Sequence, residues 1–258
     1  MKDLISIFRK VMDIPFPRRC RVCNSIIGEE KKGDICIGCW RNIRLIERPL
    51  CSYCGISLQI SYDLPEGLNG YYICRRCRET PPEFDSARSV CHYDGILKRL
   101  IHIYKYNRVK RLGDDLLSLM INYIKSGNNI HPPPNIIMYV PLHRRRLKER
   151  GFDQSYILAR GIGDYLNILL ITDNLSKTRH TKPQAKLSRN ERLNNIKGTF
   201  IVKRPEEIRK MNILLIDDVF TTGTTVNECA MVLKKGGAGR VDVLTLARAV
   251  RSVTYDFC

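Results

Sequence analysis

Long apolar runs are missing from this sequence. A membrane-spanning helix needs about 18–20 consecutive apolar residues, and the N-terminal apolar stretch of residues 4–8 is broken by Arg9, Lys10 and Asp13. We therefore expect neither a transmembrane segment nor a secretory signal, and we expect the protein to act in the cytoplasm. The Ser/His/Asp and Cys/His patterns of nucleophilic enzymes are missing as well, which argues against a hydrolase.

Acidic residues are scarce relative to basic ones. The 258 residues include 26 Asp and Glu against 44 Lys and Arg, which gives a formal net charge of +18. Such an excess favours anionic partners: nucleic acid, phosphorylated substrates or an acidic membrane face. Because 43% of the side chains are hydrophobic, the chain can bury a sizeable core and has room for about two domains.

Cysteine, by contrast, is abundant in the first third of the chain. Eight of the eleven cysteines form four Cys-x-x-Cys pairs before residue 78. Two residues between ligands let both thiolates of a pair face one tetrahedral Zn²⁺, and two pairs complete a four-sulfur structural site. The predicted metal ligands are Cys20, Cys23, Cys36, Cys39, Cys51, Cys54, Cys74 and Cys77.

These ligands can be grouped in two ways. Sequential pairing puts the first four cysteines in one zinc site and the last four in another, whereas a cross-braced arrangement joins the first pair with the third. Sequential pairing is the simpler prediction, and it gives two structural zinc ions. The competing interpretations are a disulfide framework or one redox-active pair, and a reducing cytoplasm argues against the framework.

The composition changes near residue 85, which predicts two domains. Residues 1–85 contain a short helical pattern around residues 3–12 and then a cysteine-rich double zinc-ribbon module whose folding depends on zinc. Residues 86–258 alternate short apolar runs with amphipathic helical patterns, which is typical of βαβ units. We therefore predict an α/β domain with a mostly parallel sheet and helices on both faces, preceded by the zinc module.

The most informative segment joins an apolar strand pattern at residues 213–216 to Asp217, Asp218 and a threonine-glycine turn. A loop that opens into a helix offers backbone amides and hydroxyls to a phosphate, and Gly223 lets the main chain approach it. Neighbouring acids face opposite ways inside a strand, so both serve one ligand only if the strand gives way to the turn here. There they can accept hydrogen bonds from sugar hydroxyls or hold Mg²⁺. The alternative is an acid pair that caps an ordinary helix.

Residues 216–225 resemble the phosphoribosyl diphosphate (PRPP) motif of type I phosphoribosyltransferases. The resemblance implies a fold of that type, with Asp217 and Asp218 holding the ribose and taking part in any catalysis, and with Mg²⁺ accompanying PRPP. It also implies that the 5′-phosphate is held by Thr221, Thr222, Gly223, Thr224 and Thr225.

Nearly the full length of the chain resembles the ComF competence proteins. The matching parts are the cysteine-rich start and the segments around residues 93–106, 140–154 and 179–200. One departure is Asp153, where asparagine is expected; its charge would lie beside an anion site. The resemblance implies a factor in bacterial DNA uptake that helps the incoming single strand reach the cytoplasm, with the uptake machinery at the inner face of the cytoplasmic membrane as a candidate partner.

Three basic runs, residues 98–111, 144–150 and 177–197, hold much of the excess positive charge. They are predicted to clamp the diphosphate of PRPP or to contact nucleic-acid phosphates, and solvated basic faces are the alternative. The third run is typical of a flexible lid. The residues assigned to PRPP are Lys105, Arg144, Arg150 and Arg179.

Aromatic residues near these runs are candidates for stacking on the bases of single-stranded DNA. They are Tyr93, Tyr104, Tyr106, Phe152 and Tyr156. Tyr104 and Tyr156 also fit helix core positions.

The favoured function is therefore a DNA-uptake factor that binds PRPP and single-stranded DNA. The alternative is an active phosphoribosyltransferase, in which pyrophosphate leaves the ribose and a nitrogen acceptor enters. The sequence shows no recognisable pocket for an acceptor base. A PRPP-responsive binding protein without turnover is the third hypothesis.

Overall fold

A computed structural model of the protein describes residues 17–28, 33–58, 72–106, 109–127, 132–179 and 195–249. The helical pattern at residues 3–12 and most of the predicted lid lie outside these ranges. Among the described residues, the helices are α1 (Ile37–Arg41), α2 (Arg75–Glu79), α3 (Gly95–Tyr106), α4 (Leu112–Lys125), α5 (Arg144–Arg150), α6 (Gln154–Leu166) and α7 (Thr224–Lys235). The strands are β1 (Ser86–His92), β2 (Ile136–Tyr139), β3 (Leu175–Lys177), β4 (Phe200–Val202), β5 (Asn212–Phe220) and β6 (Arg240–Arg248).

The main sheet is parallel throughout, in the order β1-β6-β5-β2. The strands β5 and β6 lie at its centre, and their Ile and Leu residues and the two valines of β6 are buried, as expected for strands that are covered on both faces. A second, antiparallel pair is formed by β3 and β4. The main sheet agrees with the βαβ alternation of the sequence.

Alternate residues of β5 belong to two different cores. Ile213 and Leu215 pack with residues of α7, whereas Leu214 and Ile216 pack with residues of α3, α4 and α6. Side chains alternate between the faces of a strand, so these two cores lie on opposite faces of the sheet. The prediction of helices on both faces is confirmed.

The two cysteine-rich segments also join different cores. Residues from 20–28 and 33–43 pack into the core that contains α3, α4 and α6, and residues from 51–58 and 72–84 pack into the core that contains α7. Between them, the chain runs along β1: the amide of Ile46 donates to Val90 O at 2.9 Å, and the amide of His92 donates to Arg44 O at 2.9 Å. The sheet is thus flanked by one cysteine cluster on each face. The division at residues 85/86 into two domains stays a prediction.

The second cysteine-rich segment lies close against β1 at Gly55. Gly55 has a φ of +67°, and an added Cβ would collide with the carbonyl oxygen of Ala87 in β1. We expect Gly55→Ala to lower the free energy of unfolding by about 2–4 kcal/mol, through left-handed backbone strain and overpacking. Gly28→Ala is the matched control because nothing lies within 4 Å of its added Cβ. Urea denaturation measures the free energy of unfolding of both variants. Equal values for Gly55→Ala and Gly28→Ala would contradict this packing.

Candidate functional site

A strand, a tight turn and a helix build the candidate site. The strand β5 ends at Phe220, and α7 begins at Thr224 with Gly223 as its N-cap. Gly223 has a φ of +78°, and an added Cβ would lie 2.5 Å from the Phe220 ring, so only glycine fits. The hydroxyls of Thr222 and Thr224 are buried and lie 2.8 Å apart. We call residues 221–225 the phosphate loop.

The two acids lie within β5, and not at its end as the sequence argument required. The strand continues through Asp217 and Asp218 to Phe220, so the prediction that it gives way at the acids was wrong. Its neighbour β2 instead stops pairing at Tyr139, opposite Ile216. Beyond that point β5 pairs with β6 alone among the described strands, and both carboxylates can reach one cavity at the edge that β2 leaves.

A cavity of about 170 Å³ lies where β2 and β5 reach their carboxyl ends. In α/β sheets this is the usual position of a ligand site. Its described lining is mainly charged and polar. The lining residues are Lys105, Val140, Pro141, Leu142, His143, Arg146, Arg150, Gln154, Ser155, Lys177, Asp217, Asp218 and Thr225.

Both acids have partners inside the protein. The Oδ1 atom of Asp217 accepts hydrogen bonds from Ser155 Oγ at 2.9 Å and from the amide of Asp218 at 2.8 Å. Asp218 forms an ion pair with Lys105. Burial raises the pKa of Asp217 to about 7, and the charge of Asp218 adds to this shift while Lys105 opposes it. A ligand at this site would therefore share carboxylates that already have partners.

Five of the residues assigned to PRPP from the sequence line the cavity: Lys105, Arg150, Asp217, Asp218 and Thr225. Arg144 is exposed at the start of α5, and exposed Arg179 donates to Lys197 O at 3.0 Å. Neither belongs to the described lining, and neither do Thr221, Thr222, Gly223 and Thr224.

Sequence reasoning missed four polar residues that line the cavity: Arg146, Gln154, Ser155 and Lys177. Arg146 and Lys177 belong to two of the three basic runs, but the sequence of these runs does not indicate which members face inward. Burial lowers the pKa of Lys177. Gln154 and Ser155 begin α6; Gln154 is the last residue of the segment that resembles the ComF proteins, and Ser155 follows it.

Asp153 has a structural role. It is the N-cap of α6, and its carboxylate accepts hydrogen bonds from the amides of Ser155 and Tyr156. It also accepts one from the amide of Leu142 at 2.9 Å, which fixes the loop after β2 against α6. Burial raises the pKa of Asp153 to about 6, although these hydrogen bonds oppose the shift. Asp153 thus serves as a helix cap.

The cysteines form two clusters that fit zinc. The sulfurs of Cys20, Cys23, Cys36 and Cys39 lie within 4.8 Å of one another, as do those of Cys51, Cys54, Cys74 and Cys77. This grouping is the sequential one. Zn–S distances of about 2.3 Å in a tetrahedron place the sulfurs about 3.8 Å apart, and the Cys54 and Cys74 sulfurs are 3.8 Å apart. We call these the first and second zinc centres.

Backbone amides support the thiolate form at both centres. The sulfur of Cys36 accepts from the amide of Cys39 at 3.4 Å, and that of Cys51 accepts from the amide of Cys74 at 3.3 Å. The amide of Cys39 is the main reason why the pKa of Cys36 falls to about 6. Thiolates that accept amide hydrogen bonds are the usual donors of a structural zinc site.

Known proteins match this chain along most of its length. A family model described as a double zinc ribbon domain matches residues 11–78. Competence protein F of Haemophilus influenzae is 30% identical over 239 residues, which cover 91% of this chain and 98% of that protein. The chain belongs to the ComF family. The family and the fold class predicted from the sequence are thereby confirmed.

Other ComF relatives are similar over comparable lengths. DNA utilization protein YhgH of Escherichia coli K12 is 32% identical and covers 91% of this chain and 98% of its own. Competence protein ComFC of Bacillus subtilis is 27% identical over a region that covers 83% of this chain and 84% of that protein. Adenine phosphoribosyltransferase of Leishmania tarentolae superposes loosely, with a TM-score of 0.35 and 12% identity over 57% of this chain and 74% of that one.

No described helix combines the length and the apolarity that a membrane span requires.

The raised pKa of Asp217 predicts a pH-dependent stability. The unfolded chain releases this proton near pH 4, but the folded protein holds it up to about pH 7. The contribution of Asp217 to stability therefore falls as the pH rises through this window. We compare the free energy of unfolding of Asp217→Asn with that of wild type. We expect this difference to shift in favour of Asp217→Asn by about 1–3 kcal/mol from pH 5 to pH 8.

Asp164→Asn is the control, because its side chain is 76% exposed on α6. Thermal unfolding at the two pH values measures the gain. If the difference in stability between Asp217→Asn and wild type is the same at pH 5 and at pH 8, the burial of this carboxylate is contradicted.

Proposed function

We propose that this chain acts in DNA uptake during natural transformation and that its cavity binds PRPP together with Mg²⁺. Relatives named for competence and DNA utilization support the biological role. The choice of PRPP as the ligand rests on one observation. Two carboxylates and four cationic side chains converge on a cavity at the carboxyl ends of parallel strands, beside the phosphate loop. Cations for a diphosphate and acids for sugar hydroxyls are the two demands of such a ligand.

The cationic side chains suit the diphosphate. Arg146, Arg150 and Lys177 line the cavity from α5 and β3, so they approach a ligand from two sides. The terminal nitrogen Nη1 of Arg150 donates to Gln154 at 2.8 Å, which orients the guanidinium. Arg144 and Arg179 lie outside the described lining, so their contact with the diphosphate stays a prediction.

The acids and the loop suit the ribose 5-phosphate. Asp217 and Asp218 would accept hydrogen bonds from the ribose hydroxyls, and the contacts with Ser155 and Lys105 orient their carboxylates. Carboxylate oxygens are also the ligands that Mg²⁺ prefers, and Mg²⁺ would neutralise part of the diphosphate charge. Thr225 connects the cavity to the phosphate loop, whose amides at the start of α7 would receive the 5′-phosphate.

Lys177 provides the sharpest test of the ligand. We expect Lys177→Gln to raise the Kd for PRPP by about 10–100-fold, because a charged hydrogen bond to the diphosphate is lost. Lys203→Gln is the matched control, since Lys203 is an exposed lysine just after the paired strand β4. Calorimetric titration with PRPP, with and without Mg²⁺, measures both. An unchanged affinity of Lys177→Gln would contradict the assignment.

Phosphoribosyl transfer remains the alternative function. Positioning and charge neutralisation of the leaving diphosphate are the main needs of that reaction, and the same cationic residues serve them. Incubation with PRPP and a panel of nitrogen bases separates the two functions. Pyrophosphate release with any base would favour the transferase. PRPP binding without release would favour the uptake factor or a PRPP-responsive binding protein, and titration with single-stranded DNA separates these two.

We propose that single-stranded DNA binds beside the cavity, around Tyr106. Of the rings considered from the sequence, Tyr104 and Phe152 are buried and Tyr156 packs against Tyr139. Tyr106 is 57% exposed, and the guanidinium of Arg150 lies 5.3 Å from its ring centre. An exposed ring next to a cation is the combination on which bases stack.

Exposed basic residues of three neighbouring segments are candidates to contact the backbone of the strand. They lie near the start of α3, just before α4 and on α5: Lys98, Arg99, Lys110, Arg111, Arg144, Arg145 and Lys148. Contacts with DNA phosphates from such residues are salt-dependent and carry little sequence preference.

Tyr106→Ala tests this surface. We expect the substitution to weaken binding of a labelled oligothymidine by about 5–100-fold, because a stacking platform is lost. Tyr165→Ala is the matched control: Tyr165 is 40% exposed and has Lys125 over its ring, but it lies at the far end of α6. Fluorescence anisotropy at several salt concentrations gives both affinities. Equal losses in the two variants would contradict the assignment.

A further inference from the structure

A buried arginine lies between the second zinc centre and the phosphate loop. Arg248, the last residue of β6, is 4% exposed and is the partner of Phe220 in the strand register. Its Nη1 donates to Cys54 O at 2.6 Å, and its Nη2 lies 3.6 Å from the Cys54 sulfur. Its guanidinium carbon lies 4.3 Å from the centre of the Phe220 ring.

The charge of Arg248 requires an anion. No carboxylate of the described residues forms an ion pair with it, and its Nε atom is buried without a partner there. A buried cation is costly unless an opposite charge compensates it. Four thiolates exceed the charge of one Zn²⁺ by two negative charges, so the zinc-loaded second centre would supply the missing counter-charge.

The phosphate loop contacts Arg248 through the ring of Phe220. Phe220 is 2% exposed, and its ring is packed between Arg248 and Gly223, where it leaves no space for a Cβ. Phe84, which follows the second centre in the chain, contacts the same ring edge-on at 6.1 Å. A shift of Arg248 would therefore move the residue that supports the turn.

Arg76 provides a second connection. It lies on α2, between the ligands Cys74 and Cys77, and its terminal nitrogen donates to Thr222 O in the phosphate loop at 2.6 Å. The first zinc centre packs elsewhere: the amide of Asp34 beside it bonds to Asp115 on α4 at 3.2 Å, on the opposite face of the sheet. The second centre thus contacts the phosphate loop through two arginines.

We propose that the second zinc centre positions the phosphate loop through Arg248 and Arg76. Loss of its zinc leaves Arg248 without a counter-charge and frees α2, so the loop loses its defined conformation and its affinity for a phosphate. The effect on ligand affinity rests on the proposed function, whereas the effect on the loop conformation does not.

Substitutions on α2 test the second connection without touching a ligand. We expect Arg76→Met to make the amides of residues 221–225 exchange about two- to tenfold faster in hydrogen exchange mass spectrometry, because one hydrogen bond to the loop is lost. Arg75→Met is the matched control: its side chain is 83% exposed and pairs with Glu79 on the same helix. Both variants should keep two zinc ions per chain.

Substitutions at the two centres test the role of zinc. We expect Cys54→Ser and Cys23→Ser each to lose one zinc ion, but only Cys54→Ser to accelerate loop exchange, on the order of tenfold. The amides of residues 213–216 in β5 report any global unfolding. If Cys54→Ser unfolds globally, the proposal is decided by comparing the exchange rates of the loop amides in Arg76→Met and Arg75→Met.

The result that overturns the proposal is loop exchange that stays at the wild-type rate in Arg76→Met, and in Cys54→Ser if that variant folds. Titration with PRPP separates this failure from that of the proposed function. Accelerated loop exchange in a protein that never binds PRPP would support the coupling and refute the ligand. Tight PRPP binding by wild type and Cys54→Ser alike, with unchanged exchange, would support the ligand and refute the coupling.

Discussion

Two adjacent carboxylates in one largely buried site are the constraint on which this structure depends. Asp217 and Asp218 repel each other, and burial disfavours their charged forms. The surrounding cations and the hydroxyl of Ser155 reduce that cost. Because α3, α5, α6 and β3 supply these groups, the site exists only when these four elements are in place around β5.

The offset between β2 and β5 makes this site possible. If β2 continued alongside β5, neighbouring acids would be separated by the sheet, one on each face. Because the pairing with β2 ends at Tyr139, both carboxylates reach the cavity from inside a regular strand. The cap formed by Asp153 then fixes the loop that follows β2. The geometry thus results from where one strand ends, which is a property of the tertiary structure.

This distinction explains what the sequence could predict. Cys-x-x-Cys spacing, the apolar period of α3 and α4 and the glycine turn before α7 are local patterns, and the structure contains all of them. The choice of Arg146 and Lys177 over Arg144 and Arg179 as lining residues is not local, because it depends on how α5 and β3 pack around the cavity. The same holds for Tyr106, the one exposed ring among the five candidates that we assign to stacking.

The cysteine-rich segments are integrated with the sheet, one on each face, and the second contacts the loop that would bind a phosphate. A zinc ribbon in this position can stabilise the fold and also shape the site. The most direct test of the account is a crystal structure of the full chain grown with PRPP and Mg²⁺. We expect ribose density against Asp217 and Asp218, with the 5′-phosphate at residues 221–225. Density for PRPP elsewhere on the protein, with the Lys105–Asp218 pair and the cavity unchanged, would contradict it.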